Sequence, residues 1–326
     1  MTVDRFGRNI NYLRISLTDK CNLRCLYCMP EEMSFQPRDE LLQDDEIYRL
    51  VRIFAGLGFQ KIRLTGGEPT IRANIVEIVS EIVDTPGIKT VAMTTNGLLL
   101  KTLSQPLVNA GLSRVNISID TLNPKKFKTI TRWGEVEDVL VGIAAAREAG
   151  LGIKINVVVV KGYNDKEDVV ELARLTLSQP WQVRFIEMMP FGSVSGFQLN
   201  NIVSEEDLRS TISHSLGPLD LVDRGALDGE ARLYKLQESK GTLGFISSVT
   251  SPFCASCSRA RLTADGRLRL CLLRDSELDL LSPMRSGLND QELIEMIREA
   301  VWWKPWGHGL EQDVIPLNRV MSEIGG

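Results

Sequence analysis

The sequence predicts an α/β protein built on a parallel sheet, with its functional groups at the edge where the strands end. Up to about residue 190, short runs rich in β-branched residues alternate with longer amphipathic segments. This alternation, at a spacing of about 30 residues, is typical of βαβ units. A group of cysteines follows the first run directly, which places it at the carboxyl end of a strand, where βα barrels carry their active sites.

Six runs are predicted to be parallel strands, and two intervening segments show clear helical periodicity. The segment 44–58 places Ile47, Leu50 and Phe54 on one face and ends at a glycine, as a helix packed on a sheet does. The segment 137–152 has the same character. Six such strands fit an open, partial barrel or a doubly wound sheet, and the periodicity does not decide between them. The six runs are residues 11–17, 60–66, 89–97, 113–120, 153–160 and 183–189.

The pattern changes after about residue 195. A helix with a serine cap is expected over residues 204–212, and a further helix over 290–301. The segments between them are β-rich, and one of them predicts a hairpin that turns at Asp265–Gly266. We therefore predict two parts, a βα body over 1–195 and a C-terminal, β-containing extension over 196–326.

The composition limits the classes of function. The chain has 326 residues, of which 43% are hydrophobic, and a formal net charge of −4, so no basic surface for general nucleic-acid binding is expected. No segment reaches the roughly 18 apolar residues of a membrane span, and the N-terminal segment lacks the apolar core of a signal peptide. We expect a cytoplasmic protein with no membrane or nucleic-acid partner, whose reduced cysteines serve metal binding or catalysis.

All six cysteines fall into two groups of three. Three thiolates can hold three irons of a cubane cluster and leave the fourth iron open to a small ligand, whereas iron–sulfur clusters normally take four cysteines. Structural zinc is the alternative, but it requires four ligands, and the two histidines, His214 and His308, are distant in sequence from the first group. The groups are Cys21, Cys25 and Cys28, and Cys254, Cys257 and Cys271.

Two arginines follow the second cysteine group closely. Arg259 and Arg261 are two positions apart, so on a strand both side chains point to the same face. Beside a cluster with an open iron, their guanidinium groups could fork onto a phosphate or a purine edge; solvated surface arginines are the plainer alternative. Further cations, Arg14, Arg63 and Lys154, lie in or beside predicted strands, where a buried charge needs a partner.

The first cysteine group resembles the signature of the radical S-adenosylmethionine (SAM) superfamily. The motif is C-x₃-C-x₂-C with Tyr27 before the last cysteine, and the glycine-rich TGGEP at 65–69 follows the second strand. Glycines let the backbone approach a ligand closely, although a plain strand-to-helix turn is the alternative. The resemblance implies a partial (βα)6 TIM-like barrel that holds a [4Fe–4S] cluster and SAM. In that superfamily the cofactors supply a 5′-deoxyadenosyl radical and the protein positions it.

Both cysteine groups, with TGGEP, TTNG, NISID, RFIEMMP and a terminal Gly–Gly, resemble the GTP 3′,8-cyclase (MoaA) family from about Phe6 to Gly326. The resemblance implies a radical SAM lyase that converts GTP to (8S)-3′,8-cyclo-7,8-dihydroguanosine 5′-triphosphate, the first step of molybdenum cofactor (molybdopterin) biosynthesis. It also implies a second [4Fe–4S] cluster in the extension, a low-potential electron donor, and cyclic pyranopterin monophosphate synthase as the downstream enzyme. A monomer and a homodimer are both compatible with it.

The same resemblance implies roles for individual residues. The ligands of the first, catalytic cluster would be Cys21, Cys25 and Cys28, and those of the second cluster Cys254, Cys257 and Cys271. The SAM-binding residues would be Tyr27, Gly67, Ser118 and Met189. The GTP-binding residues would be Arg14, Arg63, Thr94, Lys154, Arg259, Ala260 and Arg261. The tail, Gly325 and Gly326, would reach toward the active site, although such a terminus is usually disordered.

Two other classes of protein remain open. One is a radical SAM enzyme that modifies peptides and uses the second cluster as an auxiliary electron carrier. Such enzymes usually carry a longer cysteine-rich extension, and no cysteine follows Cys271. The other class is a zinc-binding interaction protein with two zinc modules. His308, within a KPWGHGL segment, has no predicted role in any of these interpretations.

Overall fold

The computed structural model describes residues 2–225, 227–310 and 314–325. In these ranges the strands form one mixed sheet of 13 strands. The strands are β1 (Tyr12–Ser16), β2 (Lys61–Thr65), β3 (Thr90–Thr95), β4 (Arg114–Ser118), β5 (Gly152–Val159), β6 (Gln182–Glu187), β7 (Leu219–Leu221), β8 (Leu227–Asp228), β9 (Ala231–Leu236), β10 (Thr242–Ile246), β11 (Arg259–Leu262), β12 (Arg267–Arg269) and β13 (Leu278–Asp279).

The helices lie mainly between successive strands of the first half and after the last strand of the second. They are α1 (Asp44–Gly56), α2 (Ile75–Val83), α3 (Leu100–Asn109), α4 (Pro124–Thr131), α5 (Val136–Glu148), α6 (Glu167–Ser178), α7 (Ser195–Asn200), α8 (Glu205–Leu216), α9 (Leu281–Arg285), α10 (Asp290–Trp302) and α11 (Met321–Ile324). No helix within the described ranges is long and apolar enough to cross a bilayer.

Strands β1 to β6 are parallel and lie side by side in chain order. Each of the six predicted runs contains or overlaps one of them. The helices between them bury their apolar faces; α1 buries Ile47, Leu50 and Phe54, as its periodicity predicts. The sequence-predicted α/β class is therefore confirmed.

The C-terminal part extends this sheet at both edges and does not form a sheet of its own. Strand β10 adds to β6, and β11 adds to β1, both in parallel. The antiparallel strands β9 and β7 continue one edge, and β12 and β13 continue the other. The β11–β12 hairpin contains Gly266 at a φ of 73°, which is the left-handed conformation that its predicted turn requires.

The sheet is strongly curled. Arg14 lies on β1, and Glu230 immediately precedes β9, seven strands along the sheet order. In a flat sheet these strands would be roughly 30 Å apart, yet an Arg14 Nη2 atom lies 2.6 Å from a Glu230 carboxylate oxygen. The curl therefore brings residues from both edges to one interior site.

The two faces of the parallel strands differ in character. On β2, Ile62 and Leu64 are buried in the apolar core, and Arg63 between them points to the opposite face. This alternation follows from the two-residue period of a strand. The concave face thus carries polar and charged side chains, and the convex face packs on the helices.

Candidate functional site

An open cavity of about 1850 Å³, a volume that includes the solvent at its mouth, lies on the polar face of the sheet. All six cysteines line it, and all six are free and partly buried. The two cysteine groups, 226 or more residues apart in sequence, meet here because β11 pairs with β1. The cavity thus joins the two predicted sites into one.

The first cysteine group lies on the loop that follows β1. The Cys28 amide donates to the Cys25 carbonyl oxygen at 2.9 Å, and the Leu23 amide donates to the Cys21 sulfur at 3.3 Å. Burial, with the nearby carboxylate of Glu68, raises the pKa of Cys21 to about 11, and burial with the neighbouring Cys21 raises that of Cys28 to about 12. These neutral thiols would release protons on binding metal.

The TGGEP segment packs directly beneath this loop. The Gly67 amide donates to the Thr18 carbonyl oxygen at 2.7 Å, and the Glu68 amide donates to the Lys20 carbonyl oxygen at 2.8 Å. A Cβ on Gly67 would lie 2.2 Å from the Lys20 carbonyl oxygen. Glycine is therefore required here to let two backbone segments meet, in addition to any approach to a ligand.

Tyr27, between two of the cysteines, is fixed at both its hydroxyl and its carbonyl group. The hydroxyl donates to Asp120 at 2.7 Å, and Gln198 donates to the carbonyl oxygen at 2.7 Å. Asp120 also accepts from the Val158 amide at 2.8 Å, and burial raises the pKa of its carboxyl group to about 6. Asp120 thus ties the cysteine loop to β5. The other predicted SAM-contacting residues, Gly67, Ser118 and Met189, line the cavity as well.

The second cysteine group surrounds β11 and β12. Cys254 and Cys257 precede β11, and Cys271 follows β12. The ammonium group of Lys304, almost completely buried, donates to the carbonyl oxygens of Arg259 and Leu270. Burial acts to raise the pKa of Cys257, but the charges of Lys304 and Arg259 outweigh it and lower that pKa to about 6. Cys257 is thus a thiolate at neutral pH.

Neither cysteine group has the geometry of a single-ion site. Among the described residues, no three His, Cys, Asp or Glu side chains are arranged to hold one metal ion. A structural zinc needs four such ligands around one ion, whereas the cysteines of a cubane each bind a different iron. The three soft sulfur donors of each group fit a cubane cluster in which three irons take a cysteine and the fourth iron takes none from the protein.

A cluster of arginines, which we call the arginine cluster, lies between the two cysteine groups. Burial lowers the pKa of Arg63 to about 9 and also lowers the pKa values of Arg184 and Arg261. Such depressed values express the cost of gathering cations away from water. The cluster consists of Arg14, Arg63, Arg184, Arg259 and Arg261, from β1, β2, β6 and β11.

The carboxylate of Glu230 faces this cluster. Its oxygen lies 2.6 Å from Arg14, 3.5 Å from Arg259 and 3.8 Å from Arg63. Burial acts to raise its pKa, but the surrounding arginines outweigh burial and hold the pKa well below the usual range. Glu230 is therefore ionised at neutral pH, and its single charge cannot balance five guanidinium groups.

The C-terminal tail lies along the cavity wall, where Met321 and Ser322 are lining residues together with Arg261. The Arg261 guanidinium donates to the Gly325 carbonyl oxygen at 2.6 Å. Gly325 has a φ of 69°, and a Cβ there would lie 2.2 Å from the Thr65 hydroxyl oxygen. Gly325 thus lies against Arg261 and Thr65, and the predicted tail residue Gly326 lies outside the described residues.

The predicted GTP-contacting residues divide by position. Arg14, Arg63, Thr94, Arg259 and Arg261 line the cavity. Lys154 does not, although it lies on the same face of β5 as two residues that do, and Ala260 packs into the apolar core. Ala260 faces away because it sits between two residues of a strand that face inward. His308, which had no predicted role, lines the cavity, and its Nε2 atom is buried without a hydrogen-bond partner.

Sequence reasoning missed Glu230, Arg184, Asp120 and Lys304. Arg184 donates to Asn116 and Asn156 from within RFIEMMP, a segment that sequence analysis used only as a motif. Its position on a strand, flanked by apolar residues, was an available signal. Glu230 and Lys304 lie in loops, and no role was predicted for either of them. Only the curl of the sheet brings Glu230 to the arginines.

The fold and the cysteine loop after β1 define the class of protein to which this chain belongs. The family model of the Radical SAM superfamily matches residues 15–176. SuiB from Streptococcus suis has a similar fold, with a TM-score of 0.56 at 15% identity over 94% of this chain and 68% of that chain. Membership of the superfamily implies a [4Fe–4S] cluster and SAM.

The second half of the chain and its full-length relatives define the family. The model for Molybdenum Cofactor Synthesis C matches residues 181–310. The GTP 3′,8-cyclases of Desulforamulus reducens and Pelotomaculum thermopropionicum are each 45% identical over 99% of this chain and 100% and 99% of their own lengths. That of Pseudomonas entomophila is 41% identical over 99% of this chain and 98% of its own. This chain belongs to the GTP 3′,8-cyclase family of the radical SAM superfamily.

Proposed function

We propose that this chain is a GTP 3′,8-cyclase, a radical SAM lyase that forms (8S)-3′,8-cyclo-7,8-dihydroguanosine 5′-triphosphate at the start of molybdenum cofactor biosynthesis. The observation that carries the proposal is that two three-cysteine groups and five arginines line one cavity. The first group suits radical generation, the second suits a substrate-binding cluster, and the arginines suit a polyanion. No simpler cofactor set uses all three features.

The first cysteine group would hold the radical-generating cluster through Cys21, Cys25 and Cys28. When bound, this cluster and SAM supply an electron and a 5′-deoxyadenosyl radical. The chain contributes the orientation. The Tyr27–Asp120 hydrogen bond fixes the loop, and Gly67 allows TGGEP to pack beneath it. Tyr27, Gly67, Ser118 and Met189 are the proposed SAM contacts, because they line the cavity beside this loop.

The second cysteine group would hold a second [4Fe–4S] cluster through Cys254, Cys257 and Cys271. Three thiolates leave one iron without a protein ligand, and the guanine of GTP is the proposed occupant. Lys304 supports the site because its buried ammonium group balances thiolate charge. A low pKa at Cys257 favours the form that binds iron.

The arginine cluster would hold the triphosphate. Five guanidinium groups and one carboxylate leave four positive charges, and a fully ionised triphosphate carries about four negative ones. Arg14, Arg63, Arg259 and Arg261 supply forked donors, and Thr94 adds a hydroxyl group at the cavity wall. Lys154 remains a proposed contact at the margin, and Ala260 a proposed contact through its backbone. The tail, Gly325 and Gly326, would position Arg261.

Holding GTP between the two cysteine groups would place ribose C3′ near the radical source. In the proposed reaction the C3′ hydrogen of GTP would pass to 5′-deoxyadenosine, and a bond would form between C3′ and purine C8. Cyclisation then needs one electron and one proton from a reductant, so the product is an isomer of GTP. Rigid positioning matters because a displaced carbon radical would react elsewhere.

Three broader proposals accompany the activity. The curl of β1 to β6 supports a partial (βα)6 TIM-like barrel, with a body over 1–195 and an extension over 196–326 that carries the second cluster. A low-potential electron donor and a downstream cyclic pyranopterin monophosphate synthase are expected partners, and the chain acts as a monomer or a homodimer. A cytoplasmic location stays a prediction from the sequence. The likeness to SuiB, at 15% identity, concerns the fold alone and does not favour peptide modification.

The proposal is tested by identifying the product. Anaerobically reconstituted protein is incubated with SAM, dithionite and GTP deuterated at C3′, and the mixture is analysed by mass spectrometry and NMR. We expect deuterium in 5′-deoxyadenosine and a nucleotide isomer with a C3′–C8 bond. ATP in place of GTP serves as the control and is expected to give no cyclic product. Absence of deuterium transfer from GTP would exclude the proposed reaction.

A further inference from the structure

The Glu230 carboxylate sits inside the arginine cluster as its nearest anion. One of its oxygens, Oε1, is within 2.6 Å of Arg14, 3.5 Å of Arg259 and 3.8 Å of Arg63. The Glu230 side chain is only 7% exposed. It comes from the turn between β8 and β9, near the edge of the sheet opposite to β11. The contact therefore depends on the curl of the whole sheet.

The geometry resembles that of a bound phosphate oxygen. Guanidinium groups bind carboxylate and phosphate with the same forked donors. Three arginines from three strands converge on one carboxylate oxygen, and Arg63 still has a buried Nε atom without a hydrogen-bond partner. A single carboxylate thus satisfies only part of a donor set that could engage a larger anion.

A triphosphate and Glu230 would compete for these donors. Both are negatively charged, and in a buried site the repulsion between like charges is poorly screened. Glu230 is held in its ionised form by the cluster, so protonation does not relieve the conflict at neutral pH. Either the carboxylate rotates away when phosphate binds, or it stays and weakens the binding.

We propose that Glu230 is an internal competitor of the triphosphate: it occupies a phosphate position of the arginine cluster in the nucleotide-free protein and weakens triphosphate binding. The competitor keeps the buried arginines paired when the site is empty. It also speeds the release of a product that still carries its triphosphate, a step that can limit turnover. The identity of the ligand rests on the function proposed above, but the competition concerns any polyphosphate.

The test compares anaerobically reconstituted wild-type protein with Glu230→Gln by titration calorimetry. Tripolyphosphate and GTP are titrated separately, each with Mg²⁺ and with EDTA. We expect the variant to bind both at least about tenfold more tightly, since the buried like charge has been removed. Glu205→Gln is the matched control. Glu205 pairs with Arg232 outside the cavity, so its loss should leave both affinities unchanged.

Unchanged or weaker binding by Glu230→Gln would overturn the proposal. Weaker binding only with Mg²⁺ would show that Glu230 holds a cation that bridges to phosphate, which is the opposite role. If Glu230→Gln does not fold, Glu230→Asp provides the comparison. Its shorter side chain would hold the carboxylate farther from the arginines, so a smaller gain in affinity for polyphosphate is expected. No gain in affinity would overturn the proposal. If wild-type protein fails to cyclise GTP but the tripolyphosphate comparison holds, only the proposed function fails.

Discussion

The Nη1 atom of Arg261 lies 2.6 Å from the carbonyl oxygen of Gly325 and donates a hydrogen bond to it. Arg261 is on β11, next to the second cysteine group, and Gly325 is the last described residue of the chain. Arg261 is buried among other cations, which lower its pKa together with burial. The carbonyl oxygen thus supplies a partner to a guanidinium group that would otherwise be poorly satisfied.

Removal of the two terminal glycines should therefore impair the reaction through Arg261. We expect cyclisation to fall about 10- to 100-fold, the value of a hydrogen bond to a charged group. Arg261→Met should cause a loss at least as large, because it also removes a proposed triphosphate contact. If the tail acts through Arg261, the double variant loses little more than Arg261→Met alone in a double-mutant cycle. Fully additive losses would mean that the tail and Arg261 act independently.

The hydrogen bond from Tyr27 to Asp120 should stabilise the folded apoprotein. Tyr27→Phe leaves one oxygen of a buried carboxylate without its donor, and we expect a loss of about 1–3 kcal/mol in the free energy of unfolding. Tyr48→Phe is the control, because the Tyr48 hydroxyl is buried without a hydrogen-bond partner. Urea denaturation of both variants measures their free energies of unfolding. Equal values for Tyr27→Phe and Tyr48→Phe would show that the hydrogen bond to Asp120 does not stabilise the cysteine loop.

A methyl group at position 67 should displace the first cysteine group. In Gly67→Ala the Cβ would lie 2.2 Å from the Lys20 carbonyl oxygen, and backbone cannot yield cheaply. We expect iron bound at the first group and SAM cleavage both to fall more than about tenfold relative to wild type, a penalty typical of overpacking. Gly56→Ala is the control, because a Cβ at this position, at the end of α1, meets open space. It should keep iron content and SAM cleavage at the wild-type level. Normal SAM cleavage by Gly67→Ala would contradict the predicted clash.

The thiol of Cys257 should titrate at a far lower pH than the thiols of Cys21 and Cys28. In the apoprotein its alkylation by iodoacetamide should reach half its maximal rate near pH 6, because the thiolate is the reacting form. The rate for Cys21 should keep rising to about pH 11. Lys304→Met removes the positive charge that lowers this pKa most, so the midpoint for Cys257 should move to higher pH. Mass spectrometry of digested protein follows each site, and an unmoved midpoint would argue against the role of Lys304.

Local sequence signals predicted most of the elements that form the fold. Ser204 caps α8 by accepting from the Asp207 amide, as expected, and the turn at Asp265–Gly266 joins two antiparallel strands. Helix α1 begins where a run of acidic residues precedes its apolar face. These features depend on interactions between residues that are close in sequence, and they can therefore be predicted from one sequence.

The site was predictable only where a motif or a strand period carried it. Alternation along β11 predicted that Arg259 and Arg261 share a face, and it also places Ala260 in the core. The meeting of the two cysteine groups was not predictable, because it requires β11 to pair with a strand more than two hundred residues earlier. The position of Glu230 depends in addition on the curl of the sheet, for which no local pattern exists.

The two cysteine groups are proposed to have different roles, radical generation for the first and substrate binding for the second. Cys254→Ser removes one ligand of the second group, and Ser256→Ala, in the same turn, is the matched control. We expect about eight irons in wild type and in the control, against about four in Cys254→Ser. The variant should still form 5′-deoxyadenosine from SAM but give no cyclic nucleotide from GTP. Cyclisation at the normal rate by Cys254→Ser would contradict a substrate-binding role for the second group.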